Sequence, residues 1–265
     1  MTPRILVFDS GLGGLTVYRE IAAARPDAQF AYVADDAFFP YGAHSEDALV
    51  ARVVPLIGEL IATHGPDFVV IACNTASVQA LGALRARYAV PFIGTVPAIK
   101  PACAQSASKR VAVLGTRATV AREYTRGLIR EFAQGCAVEL VGSAELARIA
   151  EAELAGTPAR DAEIAAEIAP CFVDKDGRRT DTVVLACTHF PLLLPRLTRL
   201  APWPVAWIDP APAIARRVVD LAGAAAGAAA GEPARIVFTS GKVPSAPLAT
   251  ALARFGLVTA LAERA

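Results

Sequence analysis

Two cysteines stand at matching places in this sequence. Phe68–Ser77 reads FVVIACNTAS and Thr182–Pro191 reads TVVLACTHFP, so Cys73 and Cys187 each close an apolar run at Ala-Cys and precede small polar residues. A thiol ordinarily has a pKa of about 8.5; a neighbouring cation, donor or helix N-terminus lowers it. A helix after each cysteine would bring its positive end close to the sulfur. A thiolate on one face of a bound carbon removes a proton, and a thiol on the opposite face supplies one. Such a pair inverts a stereocentre without a cofactor. The alternatives for paired cysteines are a redox disulfide or a metal site. Redox pairs are usually close in sequence, and no C-x-x-C, H-x₃-H or histidine cluster accompanies these two.

Other groups fit around the thiols. His189 lies two residues beyond Cys187, placed to polarise that thiol or exchange its proton. Thr75, Ser77 and Thr188 add hydroxyls. Asp9–Gly14 (DSGLGG) follows the first apolar run, and its glycines let backbone N–H groups approach an anion. Its spacing is not that of a dinucleotide-binding loop, and the Asp9 carboxylate repels phosphate but suits a substrate ammonium. Asp35–Gly42 (DDAFFPYG) is rich in turn formers and offers Tyr41 and backbone groups to a ligand carboxylate.

These groups need a frame. Strand-like runs occur at Ile5–Asp9, Phe30–Ala34, Phe68–Cys73, Pro91–Val96, Val111–Gly115, Val138–Val141, Thr182–Cys187, Val205–Asp209 and Ile236–Thr239. Most are apolar throughout, as strands buried on both faces of a parallel sheet are. Segments of helical spacing lie between them, among them Glu46–Thr63, Arg122–Phe132 and Arg160–Ala169. Alternation of this kind predicts an α/β fold with parallel sheets. Ligands of such sheets bind beyond the carboxyl ends of strands, where both cysteines fall. Asp174–Arg179 reads as a charged turn, and Ala222–Glu232 as an Ala-rich helix running into a mobile loop, without chemistry.

Composition narrows the function. The 265 residues are 54% hydrophobic and 19% charged, with 26 Lys plus Arg against 25 Asp plus Glu. This composition excludes disorder over most of the chain. The absence of a basic stripe disfavours a nucleic-acid partner, and no apolar tract approaches the roughly 18 residues of a membrane span. The N-terminal MTPRILVFDS enters a strand at once, without the zones of a signal peptide, so a cytoplasmic location is expected. Five widely spaced cysteines argue against a disulfide framework. Neither metal nor pyridoxal phosphate is expected.

The blocks DSGLGG, FPYG (Phe39–Gly42), ACNTAS (Ala72–Ser77), GTVPAIKPA (Gly94–Ala102), LGTRATV (Leu114–Val120) and ACTHFPLL (Ala186–Leu193) together resemble the bacterial glutamate racemases, of the cofactor-independent aspartate/glutamate racemase superfamily. The resemblance implies two similar α/β lobes, 1–97 plus 210–265 and 98–209, with the active site between them. It implies Cys73 as the acid/base thiol for the D-enantiomer and Cys187 for the L-enantiomer. Asp9 and His189 assist them, and Glu151 falls where the family has a third assisting group. Ser10, Tyr41, Gly42, Asn74, Thr75 and Thr188, with Asp9 and His189, match substrate-binding positions. The implied activity is interconversion of L- and D-glutamate to supply D-glutamate for peptidoglycan, by a homodimer. Other racemases of the superfamily and a non-catalytic amino-acid-binding protein are the competing readings. Asp36, Ala186 and Pro210 depart from the family pattern. With eight residues before Asp9, activation by a peptidoglycan precursor is not expected.

Overall fold

In the computed structural model, which describes residues 2–223 and 233–259, the apolar runs are strands covered by helices on both faces. The strands are β1 (Arg4–Asp9), β2 (Gln29–Ala34), β3 (Phe68–Ile71), β4 (Phe92–Gly94), β5 (Arg110–Thr116), β6 (Ala137–Ser143), β7 (Asp174–Lys175), β8 (Arg178–Arg179), β9 (Thr182–Ala186), β10 (Ala206–Ile208), β11 (Ala234–Phe238) and β12 (Leu257–Thr259). The α-helices are α1 (Leu15–Ala24), α2 (Glu46–His64), α3 (Asn74–Arg87), α4 (Ile99–Gln105), α5 (Arg117–Ala121), α6 (Glu123–Phe132), α7 (Leu146–Leu154), α8 (Asp161–Ile168), α9 (Leu194–Leu200), α10 (Ala211–Ala222) and α11 (Ala246–Arg254).

Two parallel sheets result. One has the order β12-β11-β2-β1-β3-β4, the other β10-β9-β5-β6. Within the first, β2-β1-β3-β4 repeats the order β6-β5-β9-β10 of the second, so the sequence echo around the cysteines is also a topological one. Phe8 pairs with Ile71 in the first sheet, and Leu114 with Leu185 in the second. One residue further along, Asp9 and Gly115 occupy equivalent positions, Asp9 at the end of β1 and Gly115 one residue before the end of β5.

The unbroken apolar runs are explained by burial on both faces. Ile5 and Val7 pack towards one core with α1 and α10, whereas Leu6 and Phe8 pack into another with α2 and α3. Each such side chain contributes about 1.5–3 kcal/mol when fully buried. Helix α2 begins at Ser45, whose side chain accepts the Ala48 N–H, and stops at Gly65, whose φ of 50° suits glycine. The chain returns to the first lobe through α10. There Arg25, buried at the end of α1, pairs with both oxygens of Asp27 and donates to the carbonyls of Ala222 (2.9 Å), the last α10 residue, and Gly223 (2.8 Å), which follows it.

Three segments differ from the sequence reading. Arg122 is extended and divides Arg122–Phe132 from a preceding short helix. The charged turn is a two-residue hairpin, β7–β8, with positive φ at Asp176 and Gly177. The edge strand β12 is new; Val258 and Thr259 are exposed, leaving no apolar run to read. Residues 224–232 of the Ala-rich tract lie outside the described residues.

Candidate active site

The carboxyl ends of the two sheets meet at a narrow, partly open cleft. Ser10, Tyr41, Gly42, Cys73, Asn74 and Thr75 line it from the first sheet, and Cys187, Thr188 and His189 from the second. Asp9 and Glu151 are not among the residues of the wall.

Cys73 ends the β3 segment and is the N-cap of α3. Its sulfur accepts the Ala76 N–H (3.5 Å) and its thiol donates to Ser10 Oγ (3.6 Å). Burial, joined by the nearby Asp9 charge, outweighs these hydrogen bonds and pushes the thiol pKa up to about 12. Asp9 itself is fully buried. Its Oδ2 accepts the N–H groups of Gly11 and Gly14, both at 3.1 Å. Burial raises its carboxyl above the usual range, against the opposing influence of His189 and the two N–H groups. Asp9 Oδ1 and both polar atoms of the Asn74 amide are buried without hydrogen-bond partners among the described residues. Asn74 lines the cleft, and such atoms in a pocket wall are groups that a polar ligand satisfies.

Cys187 is set differently. Two residues and a 3-10 turn, Phe190–Leu193 with Pro191 near its start, intervene before α9. The expected helix N-terminus is therefore not at this sulfur, and its partner is His189 Nδ1 at 3.8 Å. His189 Nε2 contacts Glu151 Oε1 at 3.0 Å, and that oxygen also accepts the Leu12 N–H at 2.6 Å. Burial disfavours the imidazolium, but the bonds to Cys187 and Glu151 prevail and hold the pKa well above that of an ordinary histidine.

The DSGLGG turn is the floor on which these groups rest. A Cβ on Gly11 would lie 2.0 Å from Glu151 Oε1, and one on Gly13 2.3 Å from His189 Nδ1. The glycines thus permit close approach of the second lobe's side chains. Thr16 adds a further tie, its hydroxyl donating to the Thr188 carbonyl at 3.2 Å.

The Tyr41 hydroxyl, expected to serve a ligand carboxylate, instead donates to Asp35 at 2.7 Å. The pocket receives the remainder of the residue and its neighbour Gly42. Sequence reasoning assigned no role to Thr116 or Thr119. Their hydroxyls lie 2.9 Å apart and 3.1 and 3.4 Å from Thr75 Oγ1, and Thr116 lines the cleft. The available signal was T-x-x-T at a strand end, a helix-capping pattern that Thr116 fulfils by accepting the Thr119 N–H. Phe39 and Ala147, also in the wall, have no polar signal to read. Among the described residues, no group of three or more His, Cys, Asp or Glu is disposed to hold a metal ion.

The sequence profile of the Asp/Glu/Hydantoin racemases matches residues 5–218. Glutamate racemases from Brucella canis and Brucella anthropi are each 58% identical to this chain over 218 residues, 82% of its length and 79% and 78% of theirs. The structure is similar to that of Escherichia coli glutamate racemase in complex with L-glutamate and the activator UDP-MurNAc-Ala. The TM-score is 0.88 and the identity 39%, over 98% of this chain and 97% of that one. A glutamate racemase isoform from Bacillus anthracis matches with TM-score 0.78 and 26% identity, over 96% and 93% of the chains.

Proposed function

This chain belongs to the Asp/Glu/hydantoin racemase family, and from that premise we propose that it interconverts L- and D-glutamate by transferring protons between two thiols. The observation that carries the proposal is Cys73 and Cys187 in one cleft, at equivalent ends of two sheets. L-Glutamate gives its α-proton to the Cys187 thiolate while the Cys73 thiol protonates the opposite face. D-Glutamate leaves with Cys187 protonated and Cys73 as thiolate; the reverse reaction starts from that state. His189, backed by Glu151, receives and returns protons at Cys187, and Asp9 serves Cys73 and the substrate ammonium. Ser10, Gly42, Asn74, Thr75 and Thr188 bind the carboxylates, and Tyr41 shapes the wall beside them. The α-hydrogen is a very weak acid, so these fixed donors supply much of the stabilisation of the carbanion-like transition state.

The proposal extends to a cytoplasmic homodimer of lobes 1–97 plus 210–265 and 98–209, which supplies D-glutamate for peptidoglycan. Among the described residues, no helix is long and apolar enough to cross a membrane. The test is circular dichroism of L-glutamate and, separately, L-aspartate incubated with protein dialysed against a chelator. Loss of optical activity with glutamate alone is expected. Preference for aspartate, or activity requiring added metal or pyridoxal phosphate, overturns the reading.

A further inference from the structure

The cleft wall from Phe39 to Gly42 belongs to a loop that starts at two adjacent carboxylates. Asp35 is fully buried at a meeting point of three elements. Its Oδ2 accepts the Tyr41 hydroxyl (2.7 Å) and Arg52 Nε (3.1 Å), and its Oδ1 accepts Arg52 Nη2 (2.6 Å) and the Thr239 hydroxyl (2.6 Å). Asp36 accepts the Ser240 hydroxyl (2.6 Å) and N–H (3.0 Å), and its side chain, 6% exposed, pairs with Lys242 Nζ at 3.0 Å. The far end of the loop is closed locally: His44 stacks on Phe38 at 3.7 Å and its Nε2 meets the Phe38 carbonyl at 3.1 Å. The 239–242 turn follows β11 and lies about 200 positions along the chain from the loop it holds.

We infer that Asp35 and Asp36 are positioning residues, a double clasp that fixes the pocket loop to the Thr239–Lys242 turn and thereby sets substrate affinity through Tyr41 and Gly42. The inference rests on the proposed racemase reading. Its logic is the geometry of the Tyr41 side chain. The hydroxyl is used inward, on Asp35, so it orients the residue rather than the ligand. Gly42 has little freedom either, since a Cβ there would stand 3.3 Å from Thr116 Cβ across the cleft. A loop held at Asp35, Asp36 and Tyr41 presents a preformed wall, and ordering of that wall need not be paid from binding. Asp36 departs from the family pattern, and here it has matching partners in Ser240 and Lys242.

The experiment uses the full-length protein with Thr239→Val, Asp36→Asn, Ser240→Ala, Lys242→Ala and Tyr41→Phe. KM and kcat are measured for both enantiomers, beside thermal stability. A hydrogen bond contributes about 0.5–1.5 kcal/mol, so each variant is expected to raise KM roughly two- to tenfold with kcat changed less. Asp36→Asn with Ser240→Ala should be less than additive, as should Thr239→Val with Tyr41→Phe, because each pair shares one carboxylate. Asp36→Glu should restore part of the affinity lost in Asp36→Asn. Unchanged KM in all variants, whether or not the melting temperature falls, overturns the clasp. Absence of racemisation in the unaltered protein instead overturns the underlying reading. Asp35→Asn, which leaves Arg52 unpaired, is not needed for the decision.

Discussion

Cys73 and Cys187 end equivalent strands, but the charges around them differ in sign. Cys73 has a carboxylate, Asp9, for company, and its thiol is held up to about 12. Cys187 has an imidazole whose positive form is favoured by Glu151 and by the sulfur itself. The repeat explains how this arose structurally. Near the end of β5, at the position where the first sheet has Asp9, the second has Gly115. Two residues beyond the cysteine, where the first has Thr75, the second has His189. The helix that caps Cys73 is also displaced at Cys187 by the Phe190–Leu193 turn. A repeated frame therefore delivers one thiol as an acid and the other beside a cation. In the proposed mechanism this is the pair of states required to accept L-glutamate.

The largest effect should come from removing either thiol. Cys73→Ser and Cys187→Ser should each abolish racemisation, because a serine hydroxyl does not serve as the base at neutral pH. Each should retain substrate binding, since one sulfur has become oxygen. With enantiomers supplied separately in heavy water, Cys187→Ser should exchange the α-proton of D-glutamate only and Cys73→Ser that of L-glutamate only. Near-normal racemisation in either variant breaks the two-thiol comparison; the opposite preferences reverse the faces.

His189→Asn comes next. Enantiomers have equal free energy, so kcat/KM must be the same in both directions for every variant. The asymmetry must appear in kcat, with KM following it. One acid/base group is worth roughly 10²–10⁴-fold, and kcat from L to D should fall by that order, more than from D to L. Gly13→Ala should reproduce the direction of this effect, because its methyl would occupy space within 2.3 Å of His189 Nδ1. Equal losses of kcat in both directions would show that His189 does not serve one face.

Chemical modification sharpens the comparison without mutation. Both thiols are 5% exposed, so access does not distinguish them. A group with pKa about 12 is ionised to only about 10⁻⁴ at pH 8. Iodoacetamide should therefore label Cys187 before Cys73, as read by peptide mass spectrometry. Labelling of Cys73 should rise about tenfold per pH unit as its thiolate accumulates. Prior labelling of Cys73 at pH 8 would contradict the assigned asymmetry.

The sequence made the thiols legible because each lies at the end of an unbroken apolar run, and strand ends are where a parallel sheet exposes ligands. It did not show why Gly11 and Gly13 are glycines. That depends on Glu151 and His189 arriving from more than 130 positions away. Nor could it show that Tyr41 points inward. A tyrosine in a turn-rich loop looks equally suited to a ligand or to a buried carboxylate, and Asp35, Arg52 and Thr239 converge only in three dimensions. The equal placing of a helix after both cysteines was the regular expectation. Pro191 broke it locally, and His189 took the place that a helix N-terminus holds at Cys73.

The smallest and most diagnostic change is Glu151→Gln. The amide oxygen can still accept from Leu12 N–H or His189, so the packing between α7 and the DSGLGG turn is kept while the charge is lost. His189 then holds its proton less strongly. A histidine whose folded pKa is raised contributes stability that is fully present below its unfolded pKa of about 6.5 and is lost as pH rises through the folded value. The variant should thus melt below the unaltered protein at about pH 6, and the gap should narrow as pH rises and His189 deprotonates in both. The decline of kcat from L to D on the alkaline side should start at lower pH in the variant. Its loss near neutrality should remain within about tenfold, since a hydrogen bond is weakened rather than removed. A stability gap that stays the same from pH 6 upwards would mean that His189 is neutral beside Cys187 throughout, and the two thiols would then differ less than their surroundings indicate.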